Sequence, residues 1–157
     1  RLAIVQVLYQ IEISGQPCGA VIAQFLTHQE GAIGVDEEAY DIDDELFAHI
    51  VAKVDQDHGS LDDHIATVLS REWSMDRLGA TMRALLRAGC YELVARSDVP
   101  ARVVIKEYVD IARGFHGLEE TGFVNAALDR LARALRTQEM TSDRSEKDSE
   151  VNAAIGQ

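Results

Sequence analysis

The stretch that decides the fold is MDRLGATMRALLRAGCYELVAR, residues 75–96. Its apolar residues recur every three or four positions, as in an α-helix that buries one face. The members of this stripe are Leu78, Met82, Leu85, Leu86, Gly89 and Leu93. Ser74 is the predicted N-cap. The helix ends before Pro100, because a proline disfavours helical backbone in the residue before it.

The same period recurs on both sides of this stretch. It predicts helices over 2–14, 18–29, 37–57, 61–70, 101–115 and 119–136. The predicted breaks fall at Gly15-Gln16-Pro17, at a loop marked by Gly31 and Gly34, at His58-Gly59, and at Gly117. Since no segment alternates apolar and polar residues as a strand would, we predict an all-α fold of about seven helices with no β-sheet.

Composition limits the domain count and the compartment. A chain of 157 residues forms one domain or two tightly packed halves. Cys18 and Cys90 belong to no metal-binding pattern, so we expect reduced thiols in a cytoplasmic protein, with one disulfide as the alternative. No apolar run reaches the roughly 18 residues that span a membrane. Because the chain begins with Arg1 and not Met, we expect that a native N-terminal segment is missing.

Charge is unevenly distributed along the chain. The formal net charge is −12, which argues against a nucleic-acid partner. Residues 36–63 hold eleven acids and one base, whereas residues 70–136 hold nine acids and eleven bases. One part of the molecule can therefore be acidic while another is neutral to basic. Residues 137–150 contain almost nothing to bury, so we expect a domain over 1–136 and an acidic, mobile tail over 137–157.

Motifs for catalysis and cofactor binding are absent from the sequence. There is no phosphate-binding loop, dinucleotide fingerprint, HExxH or nucleophile elbow. The nearest metal-like group is His58, Asp62 and His64, but a structural site needs four well-placed ligands. We therefore interpret these three as surface residues, and predict no enzyme, no metal and no cofactor.

Basic residues beside aromatic residues are the remaining signal. Single-stranded RNA is bound by rings that stack on bases and by cations that contact phosphates. Arg1 and Tyr9 are about two turns apart on the first helix, and Phe123 follows a glycine near the start of the last, where helix N–H groups could hold a phosphate. The alternative for Tyr9 and Phe123 is core packing.

Four segments, in order, resemble the NusB family. Residues 1–10, RLAIVQVLYQ, are similar to its first helix, and residues 83–100, RALLRAGCYELVARSDVP, to its LR-x-x-x-YEL and D-[IV]-P motifs. Residues 104–115, VIKEYVDIARGF, and residues 123–129, FVNAALD, resemble the segments that follow. The resemblance covers residues 1–136 and implies two packed helical bundles without catalysis.

The resemblance implies a transcription antitermination factor. Such a factor binds boxA, a short single-stranded RNA element, together with NusE, a ribosomal protein, and helps RNA polymerase transcribe ribosomal RNA operons processively. Carried over by position, the RNA-binding candidates are Arg1, Gln6, Tyr9, Glu119 and Phe123. Met82 and Arg83 are the candidates for partner contact. The alternatives are a homodimer that masks the RNA face, and the NusB-like module of a ribosomal RNA methyltransferase.

Three positions depart from the family pattern. Met82 stands where many members carry an acid, which affects the details of the expected NusE face and not the fold. Lys106 stands where members usually have Asn, and we expect it to be harmless or to add a phosphate contact. Ala126 stands where members usually have Gly, so its methyl group could overpack a close helix contact.

Overall fold

The structure, a computed structural model, describes residues 1–32 and 42–142. The α-helices are α1 (Leu2–Ser14), α2 (Cys18–Ala32), α3 (Asp44–Gln56), α4 (His58–Ala66), α5 (Ala80–Ala95), α6 (Ala101–Phe115) and α7 (Leu118–Leu135). Two short 3-10 helices, Arg71–Trp73 and Met75–Arg77, precede α5. The described ranges contain no strand, and the predicted all-α fold is confirmed. The chain divides into two compact units, Arg1–Ala88 and Gly89–Gln157.

The first unit is built on mutual packing of α1, α2 and α3, with α4 packed on α3. Each helix contributes aliphatic side chains that are almost fully buried, among them Val5, Val21 and Val51. The rings of Phe25 and Phe47 pack with centroids 5.0 Å apart. Because such side chains leave water entirely, burial of these apolar faces supplies the main stabilisation of the unit.

Local signals fix the ends of α1 and α3. Gly15 adopts a left-handed conformation with φ 64°, and its N–H bonds to the Ile11 carbonyl, which ends α1 as the sequence predicts. At the start of α3 the Asp43 carboxylate accepts a hydrogen bond from the Leu46 N–H at 3.0 Å. Asp44 follows in the first turn, where negative charge interacts favourably with the helix dipole.

The second unit is centred on the packing of α6 against α7. Tyr108 on α6 and Leu128 and Leu131 on α7 are almost completely buried. The predicted helices over 101–115 and 119–136 match α6 and α7 within one residue. Ala126 is exposed, so the expected overpacking by its methyl group does not occur.

Several predicted boundaries are wrong. The helix predicted from residue 75 begins at Ala80, because Leu78 is extended, and Ser74 makes no side-chain capping bond. Gly31 lies within α2 and not in a loop, while Gly34 lies outside the described residues. The helix predicted over 37–57 starts at Asp44; its residues 37–41 are not among those described. The break expected at His58-Gly59 is at Asp57, so α4 starts three residues earlier than predicted.

The predicted mobile tail is wrong for its first residues. Residues 137–142 are helical, and Met140 is only 1% exposed. The Glu139 carboxylate accepts a hydrogen bond from the Ala101 N–H at 2.6 Å, at the start of α6. This segment therefore belongs to the second unit, since it buries an apolar side chain and caps a helix. Residues 143–157 lie outside the described range.

Candidate nucleic-acid interface

The outward face of α1 carries three of the predicted RNA-binding residues. Arg1 is the exposed N-cap residue, and Gln6 and Tyr9 are exposed further along the helix. The opposite face is buried through Ile4, Val5, Val7 and Leu8. Tyr9 is 42% exposed, which excludes the alternative that it packs in the core. Its ring is therefore accessible for stacking.

Apolar side chains accompany Gln6 and Tyr9 on that face. Leu2 is 37% exposed and Ile13 is 63% exposed. At 3.6 residues per turn, positions 2, 6, 9 and 13 fall within an arc of about 60°. We call these four residues the α1 stripe. The sequence prediction selected Gln6 and Tyr9 but missed Leu2 and Ile13, although their heptad-like spacing was a usable signal.

Glu119 and Phe123 lie on α7 in the second unit. Glu119 is exposed and Phe123 is half-buried. The two residues are four apart and so share one face of the helix. Because α7 begins at Leu118, Phe123 is in its second turn and not at its N-terminus. Helix N–H groups at Phe123 are thus not available to hold a phosphate, which corrects that part of the hypothesis.

The true N-terminus of α7 is also unsuited to an anion. Gly117 is the N-cap and provides no side-chain cap. Glu119 and Glu120 fill the first turn, where their carboxylates already interact with the helix dipole. Two negative charges at this position disfavour a phosphate there. Any RNA contact by this end of α7 therefore depends on side chains such as the Phe123 ring.

The two predicted partner-contact residues differ in accessibility. Met82 is 4% exposed, so its side chain is part of the core and offers little surface to a partner. The Arg83 guanidinium donates to the Glu12 carboxylate, with Nε to Oε1 at 2.8 Å, and to the carbonyl oxygens of Met75 and Leu78. Arg83 is therefore committed to contacts within the first unit.

Glu12 joins Arg83 to a second arginine. Its Oε2 atom accepts from Arg87 Nη1 at 3.1 Å. Arg87 also makes a two-pronged bond to the Asp62 carboxylate, with both N–O distances at 2.7 Å. The bond to Asp62 raises the pKa of Arg87 and keeps it charged. The network links α1, α4 and α5. Its hydrogen bonds join charged groups and are therefore stronger than hydrogen bonds between neutral groups.

Two of the three residues in the metal-like group His58, Asp62 and His64 make hydrogen bonds within the protein. Asp62 is held by Arg87, and His58 Nδ1 lies 2.6 Å from the Asp55 carbonyl oxygen. Across the described ranges, no group of three or more His, Cys, Asp or Glu side chains is placed to hold a metal ion. Within those same ranges, no helix has both the length and the apolarity that a membrane crossing requires.

A groove between α6 and α7 was not predicted as a site, although a phosphate contact was one of the two expectations for Lys106, which lines it. It has a volume of about 380 Å³ and is lined by Arg102, Ile105, Lys106, Val109, Asp110, Arg113, Asn125 and Asp129. Asp110 binds Lys106 at 2.7 Å and Arg113 at 2.9 Å. The bond to Lys106 lowers the pKa of Asp110 and raises that of Lys106, so both stay charged near neutrality.

Comparison with known proteins gives a consistent result. The NusB family model matches residues 1–133. A transcription antitermination protein NusB of Maricaulis maris is 45% identical over 139 residues, covering 88% of this chain and 87% of its own length. That of Bradyrhizobium sp. (strain BTAi1) is 46% identical over 140 residues, covering 89% and 83%.

Solved structures agree with the sequence relatives. NusB of T. maritima superposes with a TM-score of 0.70 at 28% identity, over 84% of this chain and 87% of that one. NusB in a crystal structure of the antitermination factors NusB and NusE with double-stranded RNA gives a TM-score of 0.67 at 26% identity, over 85% and 92%. With its family motifs, all-helical fold and relatives in agreement, the chain belongs to the NusB family.

Proposed function

We propose that this protein is a transcription antitermination factor that binds boxA-type single-stranded RNA together with NusE and supports processive transcription of ribosomal RNA operons. The family assignment and relatives that bear the antitermination name support this function. A family member crystallised with NusE and double-stranded RNA supports NusE and RNA as partners. The protein would act in the cytoplasm as a scaffold on the transcribing RNA polymerase, without a catalytic step.

The observation that carries the proposal is the exposure of Tyr9 beside Gln6 on the α1 stripe. A ring that is 42% exposed on a rigid helix can stack on an unpaired base without rearrangement. Gln6 has both a donor and an acceptor for a base edge. Arg1, at the N-terminal end of α1, adds a positive charge for the RNA backbone. Glu119 and Phe123 remain proposed contributors from α7.

NusE is expected to strengthen RNA binding. The chain carries a net charge of −12, so its own long-range attraction for RNA is weak. A partner that adds RNA-contacting surface compensates for this deficit. Arg83 would support NusE binding indirectly, by holding α1 against α5 through Glu12, because its guanidinium is already used within the unit.

An anisotropy titration tests the function. A labelled boxA-type RNA and a scrambled RNA of equal length are titrated with the full chain, with and without NusE. The proposal predicts preference for boxA that NusE strengthens, and affinity that falls with added salt. Equal affinity for both RNAs in the presence of NusE contradicts it.

A homodimer that masks the RNA face is the second candidate. The α1 stripe supports it, because Leu2, Tyr9 and Ile13 expose apolar surface along one helix. Light scattering with and without boxA RNA separates the two candidates. A dimer that dissociates on RNA binding indicates a masked form of the same factor, whereas a dimer that binds no RNA favours an interaction module. An RNA methyltransferase module would instead require a catalytic domain in the native protein, which an intact-mass measurement would reveal.

A further inference from the structure

The groove between α6 and α7 has a feature that the α1 stripe lacks: a row of cations. Arg102, Lys106 and Arg113 line the groove from one helix. At 100° per residue these three positions fall within an arc of about 40°, and at 1.5 Å per residue they extend over about 16 Å. The side chains of Lys106 and Arg113 are 73% and 64% exposed. We call these three residues the α6 basic row.

Acidic residues offset the row only in part. Among the groove-lining residues there are three cations and two carboxylates, Asp110 and Asp129. Asp129 is held by Arg133 on its own helix, with Arg133 Nε to Asp129 Oδ2 at 2.7 Å. Asp110 is shared by Lys106 and Arg113. A single carboxylate that holds two exposed cations leaves them positioned to bind further anions.

We propose that this groove binds the phosphate backbone of RNA, as a contact additional to the proposed base-stacking residues. The occupant is a polyanion because the row presents charges in sequence along a helix and not at one point. The lining contains no aromatic side chain, so the groove has nothing on which a base could stack. Phosphate contacts position an RNA without reading its sequence.

The inference rests on the proposed RNA-binding function, and it makes a specific statement about Asp110. In the absence of RNA, Asp110 orients Lys106 and Arg113 but also repels phosphate. Removing its charge should therefore tighten RNA binding, while removing the cations should weaken it. If the α6 basic row had only a structural role, Asp110→Asn would instead weaken RNA binding, because loss of its two ion pairs would disorder the row.

The test measures RNA affinity against salt concentration for Lys106→Gln, Arg113→Gln, their double variant and Asp110→Asn. Lys53→Gln is the matched control, because Lys53 is on α3 in the other unit and does not line the groove. For each RNA phosphate that a variant no longer neutralises, the negative slope of log affinity against log salt should become shallower by about 0.7, and binding should weaken by up to about fivefold at 0.1 M salt. The full chain with NusE is used throughout.

Support requires that the double variant makes the salt dependence of affinity equally shallower for boxA and scrambled RNA, and that Asp110→Asn binds both RNAs more tightly. A slope indistinguishable from that of Lys53→Gln overturns the groove, as does weaker binding by Asp110→Asn. An altered ratio of boxA to scrambled affinity also overturns it, since the groove would then read bases. Failure of the proposed function is seen separately, as a wild-type protein that does not prefer boxA.

Discussion

Gly89 on α5 lies so close to Leu128 on α7 that a Cβ atom at position 89 would be 2.8 Å from the Leu128 Cδ2 atom. Leu128 is fully buried, so its side chain has little room to move away. Tyr108 is also near, with Cδ2 at 3.5 Å from the same position. Glycine is therefore needed at residue 89 for close packing and not for its backbone freedom.

Gly89→Ala should lower the free energy of unfolding. Overpacking costs roughly 1–3 kcal/mol, and the better helix propensity of alanine returns about 1 kcal/mol. We expect a net loss of about 1 kcal/mol in urea denaturation followed by circular dichroism. Gly122→Ala on α7 is the matched control: nothing lies within 4 Å of its Cβ position, so it should stabilise by about 0.5–1 kcal/mol. Equal stabilisation by both changes would contradict the packing argument.

Arg136 should be among the most sensitive charged residues in the second unit. Its guanidinium, on a side chain 8% exposed, donates to the carbonyl oxygens of Glu92, Leu93, Arg96 and Val99 at 2.6–2.8 Å. These bonds tie the last turn of α5 to the turn that follows it, and they add a donor to carbonyl groups of which those of Glu92 and Arg96 also accept a backbone N–H. We expect Arg136→Ala to lower the free energy of unfolding by about 2–4 kcal/mol, because several carbonyl groups lose a donor.

Two variants control the Arg136 experiment. Arg136→Lys keeps the charge but cannot donate in several directions at once, so it should recover only part of the loss. Arg133→Ala removes an exposed i, i+4 pair with Asp129 and should cost about 0.5 kcal/mol or less. If Arg136→Ala lowered the free energy of unfolding no more than Arg133→Ala does, the carbonyl contacts of Arg136 would not contribute to stability.

Arg83 and Glu12 should be energetically coupled. Because both side chains are partly buried, at 21% and 27% exposure, we expect a coupling of about 1 kcal/mol in a double-mutant cycle of Arg83→Ala and Glu12→Ala. The same cycle applied to NusE affinity distinguishes direct from indirect action. If Arg83 acts by holding α1, Glu12→Ala weakens NusE binding as Arg83→Ala does; if Arg83 touches NusE, only Arg83→Ala does so.

Cys18 should react slowly with alkylating reagents. Burial, and then the neighbouring Asp55, raise the pKa of its thiol above the ordinary value of 9.0. The thiolate is the reactive form, so the pH–rate profile for iodoacetamide should be displaced to higher pH than that of a model thiol. Asp55→Asn should move it partly back, since burial remains. A profile that Asp55→Asn leaves unmoved would contradict the charge effect.

The same shift has a consequence for stability. A group with a raised pKa in the folded state binds its proton more tightly there than in the unfolded chain. Its contribution is thus fully present below pH 9.0 and is lost as pH rises through the raised value. Cys18→Ser should remove this pH dependence, which denaturation curves from pH 8 upwards can measure.

Periodicity predicted the helices well where the signal was local. Both α6 and α7 were located within one residue, because their buried faces repeat without interruption and Pro100 and Gly117 mark the breaks. The error at residues 75–79 arose because the apolar period continues through Leu78, although its backbone is extended. The helical residues 137–142 were missed because their support, through Met140 and Glu139, comes from tertiary contacts.

The contacts of the site residues could likewise be predicted from the sequence only where they are local. The sequence left Tyr9 open between base stacking and core packing, because Leu2 and Ile13 on the same face of α1 are apolar as well; the exposure of Tyr9 is known from the structure. The Lys106–Asp110 pair could have been found from its i, i+4 spacing. The Glu12–Arg83 bond could not, since it joins residues 71 apart in the chain. Whether Arg83 faces a partner or its own core is decided by such long-range contacts.

The most direct test of RNA binding by the α1 stripe compares Tyr9→Ala with Tyr9→Phe in boxA binding, with NusE present. Stacking contributes roughly 1–3 kcal/mol per base, so Tyr9→Ala should weaken boxA binding by about 5- to 150-fold, while Tyr9→Phe, which keeps the ring, should bind within about twofold of the wild type. Val103→Ala, at a similarly exposed apolar position on α6, should have no effect. Unchanged boxA affinity in Tyr9→Ala would contradict the claim that the exposed face of α1 binds RNA.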